Sequence, residues 1–265
     1  MNSGSGYNNP LVADTYDFVV PYRKRNDVGF FVDLAKECGK QVLELGCGTG
    51  RILIPTAREK MQITGLDLSS EMLRVCRHSL DREPESVQNC VDLVQSDMRD
   101  FDLGKQFHLV TIPFRTFHHL LHVADQIKCL SSIRRHLYDG GRLTLDLFNP
   151  SLPYLYDKRF QKLVEEEPPF QLPDGRRMLR RCQLLARDLH QQILTLEFLY
   201  EWRDENGAVQ QYSHQMILRY FFRYEIEHLL ARTGFELECV YADYKKTPFG
   251  SQYPGELIVV ARKAA

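Results

Sequence analysis

Glycines at 46, 48 and 50 break into the apolar run Val42-Leu43-Glu44-Leu45, and this turn constrains the fold more than any other feature of the chain. Glycine is used where the backbone takes positive φ or approaches a ligand that a Cβ would push away. The helix expected after the turn offers unpaired N–H groups to a polar ligand. A dinucleotide fingerprint, Gly-x-Gly-x-x-Gly, would need glycine at 51, where Arg51 stands, which weakens that reading. A phosphate-cradling loop ends in Gly-Lys-Ser/Thr, and here Gly50 is followed by Arg51-Ile52. What remains is an acid, Glu44, two residues before Gly-x-Gly-x-Gly.

Three further segments follow in order. Gln62-Ile63-Thr64-Gly65-Leu66-Asp67 reads as a second apolar strand ending in a carboxylate, with Ser69-Ser70 placed to cap a helix carrying Met72, Leu73 and Cys76. Asp67, 17 residues beyond Gly50, would sit at the carboxyl end of a neighbouring parallel strand, where it can accept both hydroxyl protons of a ribose. Leu93-Val94-Gln95-Ser96-Asp97-Met98 is the third segment and Phe107-His108-Leu109-Val110-Thr111-Ile112-Pro113-Phe114 the fourth. Over residues 40–147 this series resembles the class I S-adenosylmethionine (SAM) methyltransferases. The resemblance implies SAM as cofactor, held by Glu44, Gly46, Cys47, Gly48, Thr49, Gly50, Asp67 and Leu68. It puts Asp97 against the adenine amino group, Met98 beside the ring, and Pro113 near the methyl group.

Two more segments narrow the resemblance. Ala13-Asp14-Thr15-Tyr16-Asp17-Phe18-Val19-Val20-Pro21-Tyr22 is similar to the N-terminal segment of small-molecule methyltransferases, notably amino-sugar N,N-dimethyltransferases and glycine/sarcosine-type N-methyltransferases. This implies that Tyr16 closes over the cofactor and that Tyr22 lies beside it. Phe114-Arg115-Thr116-Phe117-His118-His119-Leu120 resembles the segment after their fourth strand, with Arg115, Phe117 and His118 in place of Ser, Ile and Gly. The resemblance implies a catalytic His119 near an acceptor amine and Arg115, Phe117 and His118 lining the substrate. A histidine near neutral pKa is suited to take the proton such an amine loses, and it can also simply orient the amine. Arg115 can fork onto a carboxylate or phosphate, or serve in a surface salt bridge.

Apolar positions Val28, Phe31, Ala35 and Cys38 predict a helix over 26–38, and Ile127, Leu130, Ile133 and Leu137 predict another over 125–137. Asp139-Gly140-Gly141 reads as its stop before a fifth strand, Arg142–Phe148. Strands alternating with helices imply a mostly parallel Rossmann-like α/β sheet covered on both faces. From 149 the prolines at 150, 153, 168, 169 and 173 break the pattern. Residues 176–187, 193–203 and 209–221 then read as an antiparallel meander, with Asn206-Gly207 as a hairpin turn. A helix near 223–233 and a closing antiparallel hairpin, 235–244 with 256–263, complete the chain. The expected division is an N-terminal lid and SAM-binding core (1–150), an antiparallel β insertion roofing the substrate (151–221), and a C-terminal part completing the core (222–265). The aromatic stripe of the insertion, Tyr200, Trp202, Tyr212, Tyr220, Phe221 and Phe222, is expected in core or dimer contacts.

Composition bears on partners. Net charge is −1, with no run of five or more lysines and arginines, which argues against nucleic acid. No 18-residue apolar stretch and no basic-then-apolar leader precedes the core, so a cytoplasmic protein without a membrane segment is expected, monomeric or homodimeric. The seven cysteines contain no Cys-x-x-Cys pair, and His118, His119 and His122 lack the Glu of a His-Glu-x-x-His motif, so no metal is expected. The expected activity is methyl transfer from SAM to a nitrogen or oxygen of a small polar molecule. The alternatives are a non-catalytic SAM-binding regulatory module and an NAD(P)-dependent oxidoreductase.

Overall fold

The computed structural model describes residues 6–165 and 169–264. Residues 1–5 and Pro168 of the turn region lie outside the described residues. Five parallel strands come first: β1 (Gln41–Leu45), β2 (Gln62–Asp67), β3 (Val91–Gln95), β4 (Phe107–Ile112) and β5 (Leu137–Leu147). The insertion follows as β6 (Val164–Glu165), β7 (Phe170–Gln171), β8 (Arg177–Asp188), β9 (Ile193–Arg203) and β10 (Val209–Arg219). β11 (Phe235–Tyr241) and β12 (Leu257–Lys263) close the chain. The helices are α1 (Pro10–Thr15), α2 (Val20–Arg23), α3 (Val28–Cys38), α4 (Leu53–Arg58), α5 (Ser70–Leu80), α6 (Glu85–Gln88), α7 (Val123–His136), α8 (Leu152–Tyr156) and α9 (Arg223–Arg232).

The main sheet has seven strands in the order β11-β12-β5-β4-β1-β2-β3, with β12 antiparallel to both β5 and β11. Side chains alternate across it with period two, and the core divides accordingly. Leu43, Leu45, Val110, Ile112, Val259 and Ala261 pack with Leu130 and Ile133 of α7 and with Ile226 and Leu230 of α9. Val42, Ile63, Leu109, Ile258 and Val260 pack on the opposite face with Phe31 and Leu34 of α3, Leu53 of α4 and Leu73 of α5. Both faces are covered, so the strands read as continuous apolar runs.

Two boundaries differ from the sequence reading. α7 ends at His136 and β5 begins directly at Leu137, so Asp139-Gly140-Gly141 lies inside the strand rather than before it. The register shifts between Phe107 and Leu109 absorb that irregular stretch against β4. The insertion also carries the short α8 before its strands, where only broken chain was expected.

The second sheet, β10-β9-β8-β6 with β7 paired to β8, is antiparallel and covered on one face. Its inner residues Met178, Phe198 and Tyr200 pack on Val12, Ala13 and Val19 of the N-terminal segment and on Met72 of α5. Tyr200, Tyr220 and Phe221 are buried, whereas Phe222 is exposed. The N-terminal segment thus runs as a strap between the insertion and the main sheet. Among the described residues no helix is long and apolar enough to cross a membrane.

Candidate active site

At the carboxyl end of β1 the chain turns through Gly46, Gly48 and Gly50, all at positive φ (68°, 56° and 89°). The N–H groups of Gly46 and Cys47 donate to the carbonyl of Leu66 at 2.7 and 3.1 Å, binding the turn to the end of β2. Asp67 then joins two turns: its Oδ2 accepts from Gly48 N–H and its Oδ1 from Ser69 N–H, each at 2.8 Å. Ser69 caps α5 by accepting from Met72 N–H at 3.1 Å. Burial raises the Asp67 pKa, opposed by these backbone donors. A carboxylate has about four lone-pair sites, so two amide donors leave room for hydroxyl donors.

These turns open onto a cavity of about 380 Å³, lined by Gly46, Gly48, Asp67, Leu68, Asp97, Met98, Tyr16 and His119 among the residues singled out from sequence. A Cβ on Gly48 would project into open space, whereas one on Gly46 would collide with the Thr116 side chain. Gly46 is therefore required by packing and Gly48 leaves free the floor of the cavity. The cavity and the Asp67 carboxylate fit SAM: Gly48 would pass beneath it, Asp67 would face its ribose, and Asp97 with Met98 would flank its base.

Asp97 is already engaged. Arg99 donates to it through Nε at 3.0 and 2.8 Å and through Nη2 at 2.5 Å, which lowers the Asp97 pKa. Arg99 and Asp125 also line the cavity, with 3.7 Å between Arg99 Nη1 and Asp125 Oδ2.

Several expected contacts lie elsewhere. Thr49 donates its hydroxyl to Asp17 Oδ1 at 2.6 Å and so fastens the strap, not the cavity. Ser69 Oγ donates to the Tyr7 carbonyl at 2.7 Å, a second fastening from the same two turns. Cys47 is buried, and Gly50 packs against α5, where a Cβ would come within 2.7 Å of Cys76 Sγ. Pro113 is buried, its carbonyl accepting from Thr116 Oγ1 at 2.9 Å. Tyr22 stands behind the cavity wall, its ring 4.8 Å from those of both Tyr16 and Phe114, its hydroxyl accepting from Arg180 Nη1 at 2.9 Å. Glu44 is buried, its Oε2 has no hydrogen-bond partner among the described residues, and desolvation raises its pKa to about 8.

Arg115, Phe117 and His118, expected to line the substrate, do not line this cavity. Arg115 pairs with Glu256 at 3.5 Å and lies 4.9 Å from the centre of the Phe148 ring. Phe117 is in the core, 5.6 Å ring to ring from Phe221. His118 is buried too: Phe148 N–H donates to its Nε2 at 2.8 Å, so Nδ1 carries the proton and donates to the Arg219 carbonyl at 2.6 Å. Burial lowers its pKa to about 3, fixing a neutral cross-link between β5, β10 and the turn that carries His119. The sequence shows two adjacent histidines, and the 3₁₀ turn Thr116–His119 sends one inward to the core and the other to the cavity.

His119 stands 5.6 Å, ring to ring, from Tyr7 in an edge contact. Desolvation lowers its pKa to about 4, well below the neutral value expected from sequence, because the aromatic surroundings cannot solvate an imidazolium. Tyr16 is pushed well above its ordinary value by burial and keeps its phenolic proton.

The cavity ceiling comes from Tyr7, Asn8 and Tyr16 of the strap, and among the described residues none of 151–221 lines it. The insertion, expected as a roof, packs on the strap that lines the cavity. Tyr7, Asn8, Phe114, Thr116, Arg99 and Asp125 were missed as lining residues. Phe114 ends the fourth apolar segment and carried that signal. Asn9-Pro10 marks a helix start, with the Asn9 side chain accepting from Leu11 N–H at 2.9 Å, but nothing local shows that the entry to α1 crosses the cavity.

The chain is similar to known methyltransferases. Residues 42–141 match the family described as a methyltransferase domain. The chain is 27% identical over 226 residues to the cypemycin N-terminal methyltransferase of a Streptomyces species, covering 85% of this chain and 84% of that protein. It is 24% identical over 233 residues to the dTDP-3-amino-3,6-dideoxy-alpha-D-glucopyranose N,N-dimethyltransferase of Streptomyces fradiae, covering 86% and 84%. Among solved structures, the CcbJ methyltransferase of Streptomyces caelestis superimposes with a TM-score of 0.73 at 26% identity, covering 98% of both chains.

Proposed function

We propose that this chain is a SAM-dependent methyltransferase that methylates an amine nitrogen of a small polar molecule, with His119 orienting the acceptor. The observation that carries the proposal is His119 in the same cavity as Gly48, Asp67 and Asp97, at the end walled by Tyr7, Tyr16 and Phe114. SAM supplies an electrophilic methyl on a sulfonium. In the transfer an N–C bond forms as the S–C bond breaks, S-adenosylhomocysteine leaves, and the nitrogen gives up a proton. The protein's part is alignment and exclusion of water.

With a pKa of about 4, His119 is neutral at pH 7 and accepts a hydrogen bond from the acceptor N–H, pointing the nitrogen lone pair along the cavity. It is too weak a base to hold the released proton at that pH, so the proton passes to solvent. Tyr16, protonated, offers a second polar contact. The names of two relatives, an N-terminal methyltransferase and an amino-sugar N,N-dimethyltransferase, support nitrogen over oxygen.

The test is S-adenosylhomocysteine release, followed by mass spectrometry, against small amines, hydroxy compounds and carboxylates. Turnover with amines is expected. Methylation confined to hydroxyls or carboxylates, or no turnover with any acceptor while SAM binds, overturns the proposal.

A further inference from the structure

Phe114 and Arg115, consecutive and neither of them glycine, take left-handed backbone with φ of 51° and 65°. L side chains disfavour that region, and it persists only where surroundings over-determine it. The surroundings here centre on Asp146, wholly buried near the end of β5. Its Oδ2 accepts from Phe114 N–H at 3.0 Å and its carbonyl accepts from Arg115 N–H at 3.1 Å, so one residue satisfies both left-handed amides.

The carboxylate is itself fixed. Arg25 Nη2 donates to both oxygens at 3.1 and 3.0 Å, and the Tyr244 hydroxyl donates to Oδ2 at 3.0 Å. Arg25 also pairs with Asp27 at 3.2 Å, and Asp27 takes a two-pronged contact from Arg51 at 2.6 and 2.7 Å. Both guanidinium groups lie over the Phe114 ring, 5.1 and 5.2 Å from its centre. The network thus gathers the strap, the glycine turn, β5 and the C-terminal loop under one aromatic ring that walls the cavity.

We infer that Asp146 is a positioning residue: it holds Phe114 and Arg115 left-handed and so sets the Phe114-to-His119 wall against which the acceptor is aligned. This rests on the reading of that wall as the acceptor side. Asp146 holds Phe114 and Arg115 directly but reaches the glycine turn only through Arg25, Asp27 and Arg51, so its loss should misplace the wall more than it disturbs the proposed cofactor contacts of Gly48 and Asp67.

The experiment compares the parent with Asp146→Asn by hydrogen-exchange mass spectrometry and steady-state kinetics on the full chain. Exchange over 113–121 should accelerate about tenfold or more, with peptides from β1 and β2 little changed. Turnover at saturating SAM should fall about tenfold or more while KM for SAM stays within about threefold. Adding Arg115→Gly, which makes left-handed backbone intrinsic, should recover about threefold or more of the lost turnover. Tyr244→Phe removes only one support and should move the same readouts less, deciding the question if Asp146→Asn fails to fold. Exchange spread evenly over the molecule, KM for SAM rising in step with the turnover loss, or no recovery with glycine at 115 would overturn the inference. If the parent methylates no amine, the functional proposal fails, and the exchange pattern still decides the role of Asp146.

Discussion

The two sheets serve the same cavity in different ways. The parallel sheet touches it directly: Gly48, Asp67 and Asp97 emerge from the carboxyl ends of neighbouring strands, and each lies in a short local motif. The insertion sheet contributes no described residue to the cavity lining, yet two connections from it reach the elements around His119. Its inner face clamps the strap through Met178, Phe198 and Tyr200, and Arg219 holds the His119 turn through His118 Nδ1 and, by donating from Nη1 at 3.2 Å, through the Leu121 carbonyl. In the proposed reading, direct cofactor contacts come from one sheet, whereas the strap over the cavity and the turn that carries His119 depend on the assembly of both.

The largest effect should come from the parallel sheet. Asp67→Ala removes the carboxylate and unties the Gly48 and Ser69 amides, and SAM affinity by calorimetry should fall on the order of 100-fold, about 2.7 kcal/mol. An unchanged affinity would break the claim that this sheet carries the cofactor. Next, His119→Ala should lower turnover by about 10²-fold with SAM affinity nearly intact, and His119→Asn should restore part of it. If His119→Ala loses SAM affinity as strongly as turnover, the division between the two ends disappears.

A smaller, indirect effect is expected from the insertion. Tyr200→Ala opens a cavity beneath the strap, so KM for SAM should rise about tenfold with less change at saturating SAM, and proteolysis within 6–23 should quicken. A loss of turnover with unchanged KM would instead give the insertion a direct part in catalysis.

The last effect, on stability and not on activity, concerns Glu44. Its folded pKa, raised to about 8, means that the folded chain holds a proton the unfolded chain releases above its ordinary value of 4.5. Stability from this group is present below that ordinary value and is lost as pH rises through about 8. Glu44→Gln should therefore gain in Tm on the parent progressively between pH 5 and 8. His118, His119 and His214 act oppositely: with folded values of about 3, 4 and 4 against 6.5, they erode stability as pH falls below 6.5, in both proteins alike.

Much of the cofactor end was legible in the chain. The glycine spacing, Asp67 and the apolar strands gave the sheet and its turns, because strand period and turn chemistry act over a few residues. That locality does not reveal where a motif side chain is tied to something distant. Thr49 looks like a cofactor contact, yet it fastens Asp17 of the strap, and Tyr22 is turned toward Arg180 across the insertion interface.

By itself, then, the sequence determined an α/β sheet with a SAM-type turn, an antiparallel insertion after the fifth strand and a closing hairpin. Only the tertiary structure decided which of His118 and His119 faces the cavity, what roofs it, and that burial takes His119 down to about 4. Those outcomes depend on side chains more than 100 residues apart, such as Arg25 with Asp146 and His118 with Arg219, and no periodicity along the chain encodes contacts made across two sheets.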